Sequence, residues 1–277
     1  MRNSLVLLIA LAVTGCSATG EIGPESRDFM VQQTSTPAAS ATGNTEEMAR
    51  LLSKSSASYV TLVVSDKEGQ TSTSRPSESR GTPVTSGSGF LVDGSGYVMT
   101  AAHVAVRKGN TVSARAANGR LYSGQVIDIL PNNDMALIKL KGYSGKAAAP
   151  AASQCVTKGS MVYSLGRPHA QGDTARVGEL ESMHFGRPVS YGKFGYPDAM
   201  VLRMGTQKGE SGGPLFNQSG ELIGMVVSTL TDANGNLINL SHAVPATSLA
   251  RFMCTSIQCG GNWATLSQAS TDNCPSI

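Results

Sequence analysis

The sequence predicts an all-β fold, and three observations carry that prediction. Of 277 residues 31 are glycine, 15% are charged and 40% are hydrophobic, a composition suited to many short strands and turns. Runs of alternating or β-branched residues recur about every ten positions. Between them stand Asp93-Gly94, Asn118-Gly119 and Asn234-Gly235, the dipeptides of tight hairpins. A chain of this length makes one large or two small domains and buries roughly 70–75% of its unfolded surface. Its 22 Lys+Arg nearly balance 19 Asp+Glu, a net charge of +3, without the basic stripe of a nucleic-acid module. The glycines have no three-residue period, which excludes collagen, and the hydrophobic content excludes wholesale disorder.

The elements follow in chain order. Met1-Arg2-Asn3 carries one positive charge, and residues 5–13 are an unbroken apolar run. Such a run gives about 14 Å of helix, half of the roughly 30 Å hydrocarbon core. It reads as the core of a signal peptide covering 1–15, too short for a membrane anchor. Val13-Thr14-Gly15-Cys16 resembles the lipobox of bacterial lipoproteins, in which the peptide is cut before the cysteine and the cysteine is acylated. That resemblance makes Cys16 the lipidation site and, with Ser17 next, implies retention at the outer membrane, facing the periplasm. An ordinary secretory signal cut after Ala18 is the alternative. Residues 16–56 are rich in Ser, Thr, Ala and Gly and read as a flexible tether of about 35 Å mean span, with a helical pattern only at 45–52.

Ordered chain is expected from the β-branched run 59–64, followed by a polar loop at 66–85. Further strands are expected at 89–92, 97–100, 111–115, 121–130, 135–140, 161–165, 175–182, 200–204 and 237–244. Residues 214–229 read as two strands around a turn at 217–220, and 245–257 as the one clear helix. The Ala/Gly/Lys-rich stretch 142–153 separates an N-terminal half, 57–150, from a C-terminal half, 151–258, and leaves 259–277 as a tail. No repeat of 20–50 residues is visible.

With Cys16 acylated, Cys155, Cys254, Cys259 and Cys274 remain. An even number in an exported protein implies two disulfides, with three connectivities open. Cys254 and Cys259 near His242 could instead ligate zinc, though that spacing fits structural zinc sites poorly.

Three local motifs carry the chemistry. Gly87-Ser88-Gly89 opens a hairpin that ends on Thr100-Ala101-Ala102-His103; Asn133-Asp134 opens the alternating strand at 135–140; Gly209-Glu210-Ser211-Gly212-Gly213-Pro214 places a serine among glycines. A serine hydroxyl is a poor nucleophile at neutral pH and needs a base, which in turn needs an orienting carboxylate. Glycines allow a turn tight enough for backbone N–H groups to converge on one point. Asp93 and Asp128 compete for the carboxylate role, the first in an Asp-Gly turn and the second inside a strand. His169 and His184 fall in loops.

In this order the motifs resemble the chymotrypsin-like (trypsin-like) serine proteases, in particular the HtrA/Deg branch of bacterial envelopes. The resemblance covers roughly residues 84–250, with separations of 31 residues from His103 to Asp134 and 77 from there to Ser211. It implies two six-stranded antiparallel β-barrels with a C-terminal helix. It also implies a serine endopeptidase acting on envelope polypeptides through an acyl-enzyme, with no cofactor or metal. His103 would be the general base, Asp134 its orienting acid, Ser211 the nucleophile, and Gly209 and Ser211 the oxyanion-hole donors. Gly205, Thr206, Ser228, Thr229 and Leu230 would line the primary substrate pocket. With Gly205 where trypsin-like specificity calls for Asp, small or medium uncharged side chains are expected before the scissile bond. His242 either lines that pocket, as histidines do in some glutamate-specific relatives, or is a hydrogen-bonded strand residue.

Departures from the pattern add to the reading. No Arg-Ile-Val-Gly-Gly activation sequence precedes the domain. Glu210 stands where zymogen-type members have an Asp that pairs with a freed N-terminus, so activity without propeptide cleavage is expected. About 20 residues follow the final helix, too few for the PDZ domain usual in HtrA proteins, and the oligomeric state is unspecified. Gly209-Glu210-Ser211-Gly212-Gly213 also satisfies the nucleophile elbow of α/β-hydrolases, with Asp232 and His242 in the required order. That fold needs a helix straight after the serine, where two glycines and a proline stand. A silent peptide-binding pseudoprotease or an envelope chaperone on the same scaffold is the alternative function.

Overall fold

The structure, a computed structural model, describes residues 29–33, 41–66, 83–232 and 234–269. In chain order its elements are β1 (Met30–Gln33), α1 (Ala41–Ser55), β2 (Tyr59–Ser65), β3 (Pro83–Leu91), β4 (Tyr97–Thr100), α2 (Ala102–Ala105), β5 (Thr111–Arg115), β6 (Leu121–Leu130) and β7 (Met135–Leu140). The second half holds β8 (Met161–Gly166), β9 (Thr174–Ser182), β10 (Val189–Tyr191), β11 (Phe194–Tyr196), β12 (Met200–Arg203), β13 (Pro214–Asn217), β14 (Leu222–Thr231), β15 (Leu237–Pro245), α3 (Ala246–Ser256) and α4 (Gly261–Ser267).

Two closed barrels result. The first runs β2-β3-β4-β7-β6-β5 and closes on itself. The second runs β9-β12-β15-β14-β13-β8 and closes through the β8–β9 pair. All twelve barrel strands pair antiparallel. Six strands each, with a helix after the last, is the chymotrypsin-like architecture that the motifs imply.

Period-two alternation builds these barrels, because successive side chains point to opposite faces. In β5, Val112 and Ala114 are buried while Thr111 and Ser113 are exposed. The boundaries of β4, β5, β6 and β7 fall where the sequence places them: β4 starts after Gly96, β7 ends before Gly142, and β5 and β6 meet at the Asn118-Gly119 turn, with Gly109 before them and Pro131 after. The linker is pinned as well: Ala148 N–H donates to the Leu91 carbonyl (2.8 Å) and Ala151 N–H to the Leu222 carbonyl (2.9 Å), one in each barrel.

Three stretches correct the sequence reading. Within the expected tether, residues 41–55 form α1, which buries Met48 and Leu51. The helix lies on the second barrel, where the Tyr163 hydroxyl donates to Ser55 Oγ (3.0 Å) and Lys54 Nζ to the Ser219 carbonyl. Its apolar stripe is just Met48, Leu51 and Leu52, so a Ser/Thr-rich composition conceals it. Also within that tether, β1 pairs parallel with β9, Met30 opposite Thr174 through Gln33 opposite Val177.

In the expected tail, α4 buries Trp263, whose indole N–H donates to the Val92 carbonyl of the first barrel (3.0 Å). A Cys254–Cys259 disulfide joins α3 to the lead into α4, in place of a zinc site. Cys155 is disulfide-bonded too. Finally, a β10–β11 hairpin stands where no strand was expected. The signal peptide, the lipobox with Cys16, and Cys274 lie outside the described residues.

Candidate active site

His103 sits on α2, a single helical turn leaving the end of β4. Asp134 caps a short 3-10 turn at Pro131–Asn133 and opens β7. Because β4 and β7 pair antiparallel with Thr100 opposite Ala136, the two side chains meet at one end of the first barrel. His103 Nδ1 lies 2.8 Å from Asp134 Oδ2, and the His103 backbone N–H donates to Oδ1 at 2.9 Å. Asp134 is fully buried and adopts a left-handed backbone, φ 48°, which the short Asp side chain tolerates better than most.

A third donor comes from the β10–β11 hairpin, which leaves the second barrel between β9 and β12. The Tyr191 hydroxyl on β10 donates to Asp134 Oδ2. Burial, and then the adjacent Asp134 charge, push the Tyr191 phenol far above its ordinary range, so it stays protonated and donating. The Phe194 ring meets the His103 ring edge-on, 6.3 Å between centroids. Together the β10–β11 hairpin packs over the His–Asp pair and holds it in one geometry. The competing acids serve elsewhere: Asp93 accepts from the Ser95 and Tyr97 amides, and Asp128 from Ser256.

Ser211 lies in the loop between β12 and β13. Its hydroxyl faces the Val227 carbonyl at 3.4 Å. Ser211, Gly209, His103, Val63 and Val84 line one open cleft of about 460 Å³ between the barrels. The loop is clamped from several sides. Ser88 of β3 donates its backbone N–H to the Ser211 carbonyl (2.9 Å) and its hydroxyl to the Gly209 carbonyl (2.8 Å). His169 N–H donates to the Lys208 carbonyl (2.7 Å), and Gly212 N–H to the Val226 carbonyl (2.8 Å). Among the described residues, the Gly209 and Ser211 amides have no hydrogen-bond partner. Two free N–H groups beside a serine can receive a developing oxyanion.

Glycine is required here by space as well as by angle. Gly212 has φ +83°, and a Cβ on it would stand 2.2 Å from the Ser88 carbonyl oxygen. The strand β13 directly after Gly213 excludes the α/β-hydrolase elbow, which needs a helix at that point.

The trypsin-like peptidase domain family matches residues 87–225, half of the chain. The chain belongs to the trypsin-like peptidases. Among its relatives, a Brucella suis protein named "Probable periplasmic serine endoprotease DegP-like" is 30% identical over 183 residues, 65% of this chain and 34% of that protein. The "Serine protease HTRA1" of Xenopus laevis is 30% identical over 181 residues, 64% of this chain and 37% of that one. The chain thus spans about a third of the length of these relatives. In fold it resembles the HtrA-type protease AlgW with a tripeptide, at a TM-score of 0.63 and 21% identity over 76% of this chain and 63% of that one.

Within this trypsin-like domain, the expected pocket residues lie on the strand ends flanking the serine loop. Thr206 and Thr229 hydroxyls are 2.6 Å apart, and Thr229 Oγ1 also donates to the Thr206 carbonyl (2.8 Å). Ser228 Oγ lies 2.6 Å from the Tyr196 hydroxyl. At Gly205, a Cβ would come within 2.6 Å of Asn239 Oδ1, so a neutral carboxamide occupies the space beside that glycine. Leu230 is half-buried and Lys208 exposed.

His242 is fully buried, with Nδ1 2.8 Å from the Tyr196 hydroxyl. It does not face an open pocket; it stands behind Ser228, linked to it through Tyr196. Burial holds its imidazole down to a pKa of about 4. The unfolded chain therefore binds this proton first as pH falls, so the His242 contribution to stability is intact above about 6.5 and lost progressively down to 4. The cost should approach about 3 kcal/mol. Thermal unfolding midpoints between pH 7 and 4 should fall less steeply in His242→Asn than in the parent chain. Of the other histidines, His184 is exposed and paired with Asp198 (2.7 Å). His169 serves the loop through its backbone N–H, and its side chain lies close enough to interact electrostatically with Glu210.

Several functional contributors escape a reading of motifs. In the sequence Ser88 stands out only as part of a Gly-Ser-Gly signature, and its bridge between barrels needs the fold. Tyr191 has no local signal. Arg176 did have one: a buried acid beside Ser211 calls for a cation, and Arg176 supplies it to Glu210 at 2.7 Å.

Proposed function

We propose that this chain is a serine endopeptidase of the HtrA type that cleaves polypeptides in the bacterial envelope through an acyl-enzyme. The observation that carries the reading is His103, paired with the buried Asp134, lining the same cleft as Ser211 beside two unengaged amides. In this reading Ser211 Oγ attacks the scissile carbonyl carbon while His103 Nε2 takes its proton. Asp134 holds the imidazole through Nδ1 and stabilises its cationic form. The Gly209 and Ser211 amides receive the oxyanion. Collapse expels the leaving amine, to which His103 returns the proton, and a water molecule then repeats the sequence on the ester. Serine hydroxyls change rotamer within nanoseconds, and catalytic hydrogen bonds often tighten only when substrate is bound.

The periplasmic DegP-like relative and the amino-terminal lipobox support an envelope location, with Cys16 acylated and the folded domain facing the periplasm. In this reading Gly205, Thr206, Ser228, Thr229 and Leu230 line the primary substrate pocket, and since none of the five carries a charge, small or medium uncharged residues fit it. Digestion of a denatured protein, with product ends read by mass spectrometry, should show cuts after such residues. Cuts confined to sites after Arg or Lys would overturn the pocket assignment, and no cuts would favour the peptide-binding alternative.

A further inference from the structure

Glu210 precedes the nucleophile and is fully buried, as is Arg176 on β9. Arg176 Nε lies 2.7 and 2.8 Å from the two Glu210 carboxylate oxygens. The same carboxylate accepts the Gln207 N–H, while Glu210 N–H donates to the Gln207 carbonyl and Gly213 N–H to the Glu210 carbonyl. Glu210 thus organises the 207–213 turn through its backbone, while its side chain holds the Gln207 end and ties the turn to the barrel. Burial raises the Glu210 carboxyl above its usual range and the guanidinium draws it back, so the turn depends on the cation staying in place.

What fixes Arg176 lies outside the peptidase barrels. In the β1–β9 register Gln32 stands opposite Arg176, and Arg176 Nη1 donates to Gln32 Oε1 at 2.6 Å. The remaining nitrogen, Nη2, is buried without a partner among the described residues, so Gln32 is the guanidinium's one recorded ligand besides Glu210. Strand β12 covers β9 only at residues 179–182, which leaves 174–177 as the edge that β1 occupies. Four residues on an edge, with Met30 and Gln32 exposed, form the kind of short element that opens locally at low cost.

We propose that β1 is a clamp on the oxyanion loop: Gln32 holds Arg176, Arg176 holds Glu210, and Glu210 sets the turn that presents the Gly209 and Ser211 amides. The cation that zymogen-type members obtain from a freed N-terminus here comes from the chain interior. Docking or release of the N-terminal strand then raises or lowers activity reversibly, without a cut. The proposal rests on the peptidase reading above for its consequence and on the loop geometry for its cause.

Two readouts separate those bases, taken on the full chain as Gln32→Ala, Arg176→Gln and the pair combined. Amide hydrogen exchange across 207–213 should speed up about tenfold in Gln32→Ala while β13 and β14 keep their protection. With peptide substrate, kcat should fall about five- to tenfold with KM within twofold, and Gln32→Ala should add nothing in the Arg176→Gln background, as expected for residues in one chain of contacts. Unchanged exchange at 207–213 in Gln32→Ala, or effects of the two variants that simply add, would overturn the clamp even in an active enzyme. Faster exchange in a chain that cleaves nothing would keep the clamp and remove the peptidase reading.

Discussion

Ser211→Ala is expected to lower kcat by about 10⁶-fold while leaving the fold intact. The magnitude follows from the way such residues act as a unit, so that losing the nucleophile costs nearly as much as losing all three partners. Residual catalysis of about 10³–10⁴ over water should remain from the Gly209 and Ser211 amides and from binding alone. Stability should hardly move. The Ser211 hydroxyl makes one long contact, 3.4 Å to the Val227 carbonyl, and the clamps on the loop run through backbone atoms of residues 208, 209, 211 and 212. Steady-state rates on a chromogenic peptide, set beside thermal unfolding curves, check both halves. A variant that kept turnover close to that of the parent chain would remove Ser211 from the chemistry.

Arg176→Met is expected to be the most destabilising single change near the site, at about 3–5 kcal/mol, or roughly 10 °C in the unfolding midpoint. The cost comes less from losing an attraction than from stranding a carboxylate. Glu210 is 1% exposed, so without Arg176 it must stay charged in an apolar surround or take up a proton. Adding Glu210→Gln removes that charge at nearly constant shape. The double variant should therefore regain much of the stability, since a buried pair replaced on both sides is often nearly neutral. Activity should not return with it, because nothing then ties the 207–213 turn to β9. Thermal unfolding of the single and double variants checks the first statement and peptide turnover the second. Equal stability of Arg176→Met and the parent chain would show that the pair carries no structural load.

The barrels are legible in the sequence wherever alternation is strict and glycine or proline brackets the run. In β5 both conditions hold, and its boundaries follow. In β6 the bracketing by Asn118-Gly119 and Pro131 suffices, since alternation breaks at the register shift between Val126 and Asp128. Helix α1 shows in the sequence only as the helical pattern at 45–52, because its burial rests on Met48 and Leu51 together with a hydrogen bond that Ser55 accepts and one that Lys54 donates, in a composition that otherwise reads as linker. Helix α4 begins on glycine and asparagine, poor formers, and is held by Trp263 and a disulfide instead. The site divides the same way. His103, Asp134 and Ser211 stand in local motifs whose chemistry names them. Their supports do not, because Ser88, Tyr191 and Arg176 act across 121, 57 and 34 positions of chain. Contacts of that span arise from barrel closure, which no local pattern records.

Ser211 alone among the serines is expected to be activated in the folded protein. Incubation of the native chain with a fluorophosphonate, followed by peptide mapping, tests it directly. One stoichiometric adduct on Ser211 is expected, formed without prior proteolysis and lost in His103→Ala and on unfolding. A native chain that stays unlabelled, or that carries its adduct on another residue, would contradict it.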